Sequence, residues 1–212
     1  MDTLLDYLQL NDDYNKSELM SLLDTKITIT IKHILNMKYV KFNIIKLFEE
    51  YGYVFTDDDY LELVYIRSRF LKYIDIDKRT YKICKIAVRQ YGYLLQYVPE
   101  HLKTYKLCRI AIKKDGETLK YVPEHLKTFK FCKIAVKTYG TTLEFVPDNL
   151  KTYKMCEIAV SDYGITLKYV PIHLMTYEMC KIAIIENNNA SIFIPSHLMT
   201  DELRGILDDL EY

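Results

Sequence analysis

The sequence predicts an all-α solenoid of about five to six 24-residue helix-turn-helix repeats with helical N- and C-terminal caps. Three observations carry the prediction. Threonine recurs every 24 residues, at Thr80, Thr104, Thr128, Thr152, Thr176 and Thr200. Three further residue types follow it at fixed distances: Cys84, Cys108, Cys132, Cys156 and Cys180; then Ala87, Ala111, Ala135, Ala159 and Ala183; then Pro99, Pro123, Pro147, Pro171 and Pro195. Behind each threonine the apolar residues are spaced as on one helix face, as in Tyr105, Leu107, Cys108, Ala111 and Ile112.

Taken in chain order, residues 1–55 do not follow the period and form a helical N-terminal cap or small module. Helices are expected at 2–10, 17–24 and 41–51, the last ending at Gly52. Segment Ile27-Thr28-Ile29-Thr30-Ile31 alternates like a strand, but helix is the expectation in an all-helical neighbourhood.

Residues 56–79 align as a degenerate unit. Thr56 matches Thr80 and Ser68 matches Gly92, but Tyr60 replaces the cysteine and Asp75 the proline. Asp57, Asp58 and Asp59 read as the acidic first turn of a helix, where negative charge is stabilising.

Five full units cover 80–199. In each, the threonine hydroxyl is placed to cap a first helix. Gly92, Gly116, Gly140 and Gly164 stand where a left-handed C-terminal cap is expected, with Asn188 as the tolerated substitute. A second, shorter helix is expected over Thr118–Val122, ended by Pro123, which cannot donate a backbone hydrogen bond. Glu124-His125-Leu126-Lys127 then turns into the next threonine. One such hairpin cannot bury both its apolar faces, but stacked neighbours can. Residues 200–212 form the C-terminal capping helix, with acids at Asp208, Asp209 and Glu211.

Composition excludes several classes. No stretch approaches the roughly 20 apolar residues of a membrane span. The first residues carry acid where a secretory leader carries base. The five cysteines are odd in number and include no CxxC pair, which argues against a secreted disulfide framework. The expectation is a soluble intracellular protein without membrane partners.

The combined pattern T-Y-K-x-C-x-I-A-V, then G, then L-x-Y-V-P-x-H-L-K resembles a family of short tandem repeats of unknown function. That family is common in giant DNA viruses of amoebae and occurs in some intracellular bacteria. The resemblance covers about 80–200, and 56–79 more weakly. It implies a viral protein in the host cytoplasm, and it brings no catalytic residues. No F-box or BTB pattern marks residues 1–55.

The cysteine ladder is expected in the core. Equivalent residues of stacked helices lie roughly 8–10 Å apart, whereas zinc needs sulfurs at about 2.3 Å from one metal and a disulfide needs Cα atoms within about 7 Å. The same distance argues against metal at His101, His125, His173 and His197, with Asn149 in the third unit. These are expected to be turn residues bonded to backbone. No metal, cofactor or small-molecule substrate is evident, and no GxSxG, HExxH or P-loop pattern suggests an enzyme.

Charge is the informative feature. The chain has 29 basic and 29 acidic residues, but segment 80–151 holds 14 basic against 6 acidic. The cations align two, five and nine residues after the capping threonine: Lys82, Lys85, Arg89; Lys106, Arg109, Lys113; Lys130, Lys133, Lys137. All nine are basic. In the next two units the same places hold Lys154, Glu157, Ser161 and Glu178, Lys181, Ile185. The alignment reads either as a docking surface for an acidic protein or phosphorylated segment, or as lysines copied by duplication. The expected function is a protein-protein interaction scaffold or adaptor using the basic surface of repeats 80–151. An RNA- or DNA-binding protein using the same patch, with tyrosines for stacking, is the alternative function.

Overall fold

The computed structural model describes residues 45, 46, 49 and 53–210. The expected helices at 2–10 and 17–24 and the segment Ile27–Ile31 lie outside the described residues. Of the helix expected at 41–51, Ile45, Lys46 and Glu49 are described and helical. No strand occurs among the described residues. No helix among them is long and apolar enough to cross a membrane. The chain divides into two compact units, Met1–Gln90 with Tyr97–Pro99, and Tyr91–Gln96 with Glu100–Tyr212.

The first unit contains α1 (Asp57–Ile66) and α2 (Tyr81–Gln90). Thr56 caps α1 in a reciprocal box. Its hydroxyl accepts from the Asp59 amide at 3.2 Å, and its own amide donates to Asp59 Oδ2 at 2.8 Å. Asp59 of the acidic first turn thus has a structural use. A 3-10 helix, Ser68–Tyr73, and a single 3-10 turn, Ile76–Lys78, complete the segment. Tyr60, standing where later units have cysteine, is buried and donates to Glu49 Oε1 at 3.0 Å. Burial, and then that bond, push its phenol above the usual tyrosine range. Ser68, standing where later units have glycine, is buried with its hydroxyl donating to the Val64 carbonyl at 3.1 Å.

The second unit is the solenoid proper. It stacks α3 (Tyr105–Lys114), α4 (Phe129–Thr138), α5 (Tyr153–Asp162), α6 (Tyr177–Glu186) and α7 (Asp201–Leu210). Each opens on a capping threonine whose hydroxyl accepts from the third helical amide, as Thr104 does from Leu107 at 3.3 Å and Thr176 from Met179 at 3.2 Å. From α3 to α6 the same four places turn inward. In α4 they are Phe131, Cys132, Ala135 and Val136, none more than 1% exposed.

The second element of each unit differs from expectation. It is a 3-10 helix from Gly116 to Tyr121, not an α-helix from Thr118 to Val122, and its copies are Gly140–Phe145, Gly164–Tyr169 and Asn188–Phe193. Gly116, Thr118 and Leu119 are buried along it, and Val122, at its extended C-cap (φ −81°, ψ 127°), is buried as well.

The glycines also differ from expectation, since none adopts the left-handed conformation. The last residue before Gly116 is the extended Asp115, at φ −157° and ψ 108°. What excludes a side chain is the next unit. A Cβ on Gly164 would lie 2.3 Å from the Ala183 carbonyl oxygen, and one on Gly116 would lie 3.0 Å from that of Ala135. The glycines let the 3-10 helix of one unit touch the backbone of the following α-helix. Asn188 is exposed, which is why a side chain is accommodated there.

A lysine ladder ties consecutive units together. Lys127 pairs with Glu124 and donates to the Phe145 carbonyl of the next unit at 2.9 Å. Lys151 pairs with Asp148 at 2.8 Å and donates to the Tyr169 carbonyl at 2.6 Å. Both side chains are only 6% exposed. Lys103 pairs with Glu100 at 2.9 Å. In the two later units Ile172 replaces the acid where Met175 replaces the lysine, and Ser196 stands with Met199. In the first unit Arg79 takes the lysine's part, donating to the carbonyls of Ile74 at 2.7 Å and Tyr97 at 2.6 Å.

Candidate functional site on the outer helix faces

A helix turns about 100° per residue. The inward places, three, four, seven and eight after the threonine, therefore centre on one side. Places two, five and nine centre on the opposite side, almost directly away from the core. The sequence thus puts its aligned cations where packing makes no demand on them.

The side chains follow that geometry. Within the second unit Lys106, Arg109 and Lys113 on α3 and Lys130, Lys133 and Lys137 on α4 are all exposed. Within the first unit Lys82 and Arg89 on α2 are exposed and Lys85 is half-buried. None of the nine forms an ion pair among the described residues. Lys133 Nζ stands 5.9 Å from the ring centre of Phe129.

The two following helices neutralise the same places. On α5, Lys154 pairs with Glu157, and the hydrogen bond raises the lysine above its usual range. On α6, Lys181 pairs with Glu202 of α7 at 2.9 Å, again with its titration raised. Cationic places on α3 and α4 lack such acids. The lysine ladder takes part in this contrast too. Removing its three pairs, Glu100–Lys103, Glu124–Lys127 and Asp148–Lys151, leaves eleven cations against three acids in segment 80–151.

The other candidate groups separate from this face. All five cysteines are buried and unpaired. Burial pushes the thiols of Cys84, Cys108, Cys132 and Cys156 up to about 11, and raises Cys180 as well. A thiol held so far above neutrality is a poor nucleophile and a poor metal ligand. His101, His125, His173 and His197 are exposed, as is Asn149. Contrary to expectation the histidines make no hydrogen bond to backbone among the described residues; the turns close instead on main-chain bonds such as Lys127 N to Glu124 O at 3.0 Å. No group of three metal-ligating side chains occurs among the described residues.

The period also organises the comparison with known families. Residues 80–127 and 104–151 each match a family described as a domain of unknown function, DUF4116. Each match spans two 24-residue units, and the second begins one unit after the first. Together they cover the segment 80–151, which is the basic one. No curated protein and no solved structure matches the chain. The tandem matches fit a repeat family of unknown function, and no residue role comes with them.

Sequence reasoning misses the lysine ladder, because it assigns Lys127 to a turn and gives it no partner. The signal was present in the sequence: acid and lysine stand three apart in three units and vanish together in the next two.

Proposed function

We propose that this chain is a non-catalytic protein-interaction module that binds an acidic protein surface or phosphorylated segment through the outer faces of its basic helices. One observation carries the reading. On α3 and α4 all six cations two, five and nine after the threonine are solvent-facing and form no ion pair, although the fold is the same on α5 and α6, where acids enter these places.

The arrangement opposes folding slightly. Lys106 and Arg109 are three apart, and Arg109 and Lys113 are four apart, so each is a neighbour of a like charge on one helix face. Such pairs destabilise a helix by about 0.2–0.5 kcal/mol each. Neighbouring helices bring the two rows within roughly 8–10 Å, near the Debye length of about 8 Å at physiological ionic strength, so their fields add. A partner's carboxylates or phosphates would relieve that repulsion. The resemblance of the repeat motif to a family common in giant DNA viruses is the sole support for the host cytoplasm as the proposed setting.

The test is a pull-down from nuclease-treated lysate with the wild-type chain and a Lys106→Glu, Arg109→Glu, Lys130→Glu variant. The expected result is loss of specific proteins by the variant, with its circular dichroism and unfolding midpoint retained. Recovery of the same proteins by the variant would show that the basic face is not the docking surface. Binding that disappears with nuclease and falls steeply with salt would favour the nucleic-acid alternative.

A further inference from the structure

The basic face is not uniform along the second unit. At the junction of α4 and α5 it opens into a shallow groove with an apolar floor of Phe129, Val136, Met155 and Ile158, and with Lys133 and Lys137 on its rim. Phe129 is 44% exposed, while Val136 and Met155 are buried. Lys154 also reaches this rim, but it is paired with Glu157.

The neighbouring junctions show why this one is special. Between α3 and α4, Tyr105 lies flat on Phe131, ring centres 4.5 Å apart and planes within 17°. Phe131 is the residue equivalent to Met155. One unit on, Phe131 is replaced by Met155, and no ring stacks on it. Between α5 and α6, the places of Lys133 and Lys137 are taken by Glu157 and Ser161. The depression there also has apolar lining, Ile158 and Ile182, but its charged residues are Lys154, Glu157 and Asp162, with no excess of cations. Of these three junctions, the one between α4 and α5 joins open apolar surface to unpaired lysines.

We propose that this groove seats an apolar side chain of the acidic partner, so that the bound segment is an acidic peptide with a hydrophobic anchor among its carboxylates. The inference rests on the acidic-partner reading above. Charge complementarity names the flanks of the peptide, and the floor names its anchor. A peptide with charge alone would leave the floor in water. A peptide with the anchor alone would lack the attraction of the rim. Interfaces commonly concentrate their energy in one such buried anchor inside a polar ring.

Two fluorescein-labelled decapeptides of Asp and Glu, one with a single central leucine and one with serine in its place, provide the probes. Fluorescence anisotropy with the full chain at physiological salt is the measurement. The leucine peptide is expected to bind about tenfold more tightly, equivalent to about 1.4 kcal/mol. Phe129→Ser should reduce that preference to below about twofold, while Phe129→Tyr, which supplies the ring found at Tyr105 and Tyr153, should retain it. Lys137→Glu should weaken both peptides alike. Equal binding of the two peptides, or a preference that survives Phe129→Ser, would overturn the groove proposal while leaving the acidic-partner reading in place. Failure of both peptides to bind would overturn both. A thymidine oligonucleotide that outcompetes the leucine peptide in a Phe129-dependent way would assign the groove to base stacking instead.

Discussion

Replacing Gly164 by alanine tests the packing that sets the repeat. The added Cβ would lie 2.3 Å from the Ala183 carbonyl oxygen and 3.1 Å from the Asn187 amide nitrogen, both backbone atoms. Ordinary contact begins at 3.4 Å, so α6 must retreat by roughly 1 Å, a gap that forfeits a quarter to a half of the dispersion energy of the contacts it opens. Overpacking of this kind costs about 1–3 kcal/mol. Restricting the unfolded chain returns about 0.4–1 kcal/mol. The net expectation is a loss of about 1–2 kcal/mol for Gly164→Ala. Gly116→Ala, whose Cβ would stand 3.0 Å from the Ala135 oxygen, asks the next unit to give by only a few tenths of an ångström and should cost less than Gly164→Ala. Urea unfolding followed by far-ultraviolet circular dichroism gives both midpoints. Gly164→Asn supplies the discriminating comparison. A glycine kept for left-handed backbone tolerates asparagine better than alanine, whereas one kept for close approach tolerates it worse. Equal midpoints for the two alanine variants, or a milder effect of asparagine, would refute the close-approach argument.

Lys151→Met should cost about 1–3 kcal/mol, because it strips the Tyr169 carbonyl of its partner and leaves Asp148 unpaired. Adding Asp148→Ile, which reproduces the Ile172 and Met175 of the next unit, should recover part of that loss in the same unfolding assay. The hydrogen bond from Lys151 holds the Asp148 carboxyl below the usual range. This pair's contribution is therefore present above about pH 3.9 and is lost as pH falls through the lower folded value, a dependence that Lys151→Met should abolish in an acid titration by nuclear magnetic resonance. The four thiols held up to about 11 act in the opposite sense: their contribution is full below about pH 8.5 and is lost as pH rises toward 11. Ellman's reagent at pH 8 should label the described cysteines only after denaturation, and rapid native labelling of any of them would contradict its place in the core.

The parts of the fold that were legible in the sequence are those set by local chemistry repeated at a fixed interval. Capping threonines, the inward stripe of Cys132 and Ala135 and the proline that ends each second element all follow from residue type and spacing. The second element's pitch was not legible, because Gly116, Leu119 and Val122 fit an apolar stripe of either three or 3.6 residues per turn over so short a run. The glycines were misread for a related reason. A glycine after a helix has two physical explanations, backbone freedom and close approach, and only the position of Ala135 in the following unit separates them. The cation rows were legible as an alignment. Their freedom from internal acids was not, since Lys103 and Lys106 look alike in sequence, yet one is spent on Glu100 and the other faces solvent. The groove between α4 and α5 lies where Met155 stands in place of the stacked Phe131, a contact between units that no periodicity reveals.

Duplication and use make different predictions for Arg109. If its charge is a copied residue without a task, changing it should affect nothing beyond local helix energetics. Arg109→Glu converts two like-charge neighbours, Lys106 at three residues and Lys113 at four, into attractive pairs of the kind already formed by Lys154 and Glu157. Each conversion exchanges a penalty for a gain of about 0.2–0.5 kcal/mol, reduced by solvent screening at so exposed a place. The chain should therefore become more stable by about 0.5–1 kcal/mol, read as a raised urea midpoint. If the face binds an acidic partner, the same substitution should also weaken the acidic leucine peptide by about tenfold. Greater stability with unchanged binding would identify the row as inheritance. Greater stability with lost binding would identify a surface held against its own folding preference for the sake of a partner. Lower stability would refute the placement of Arg109 on the solvent face itself.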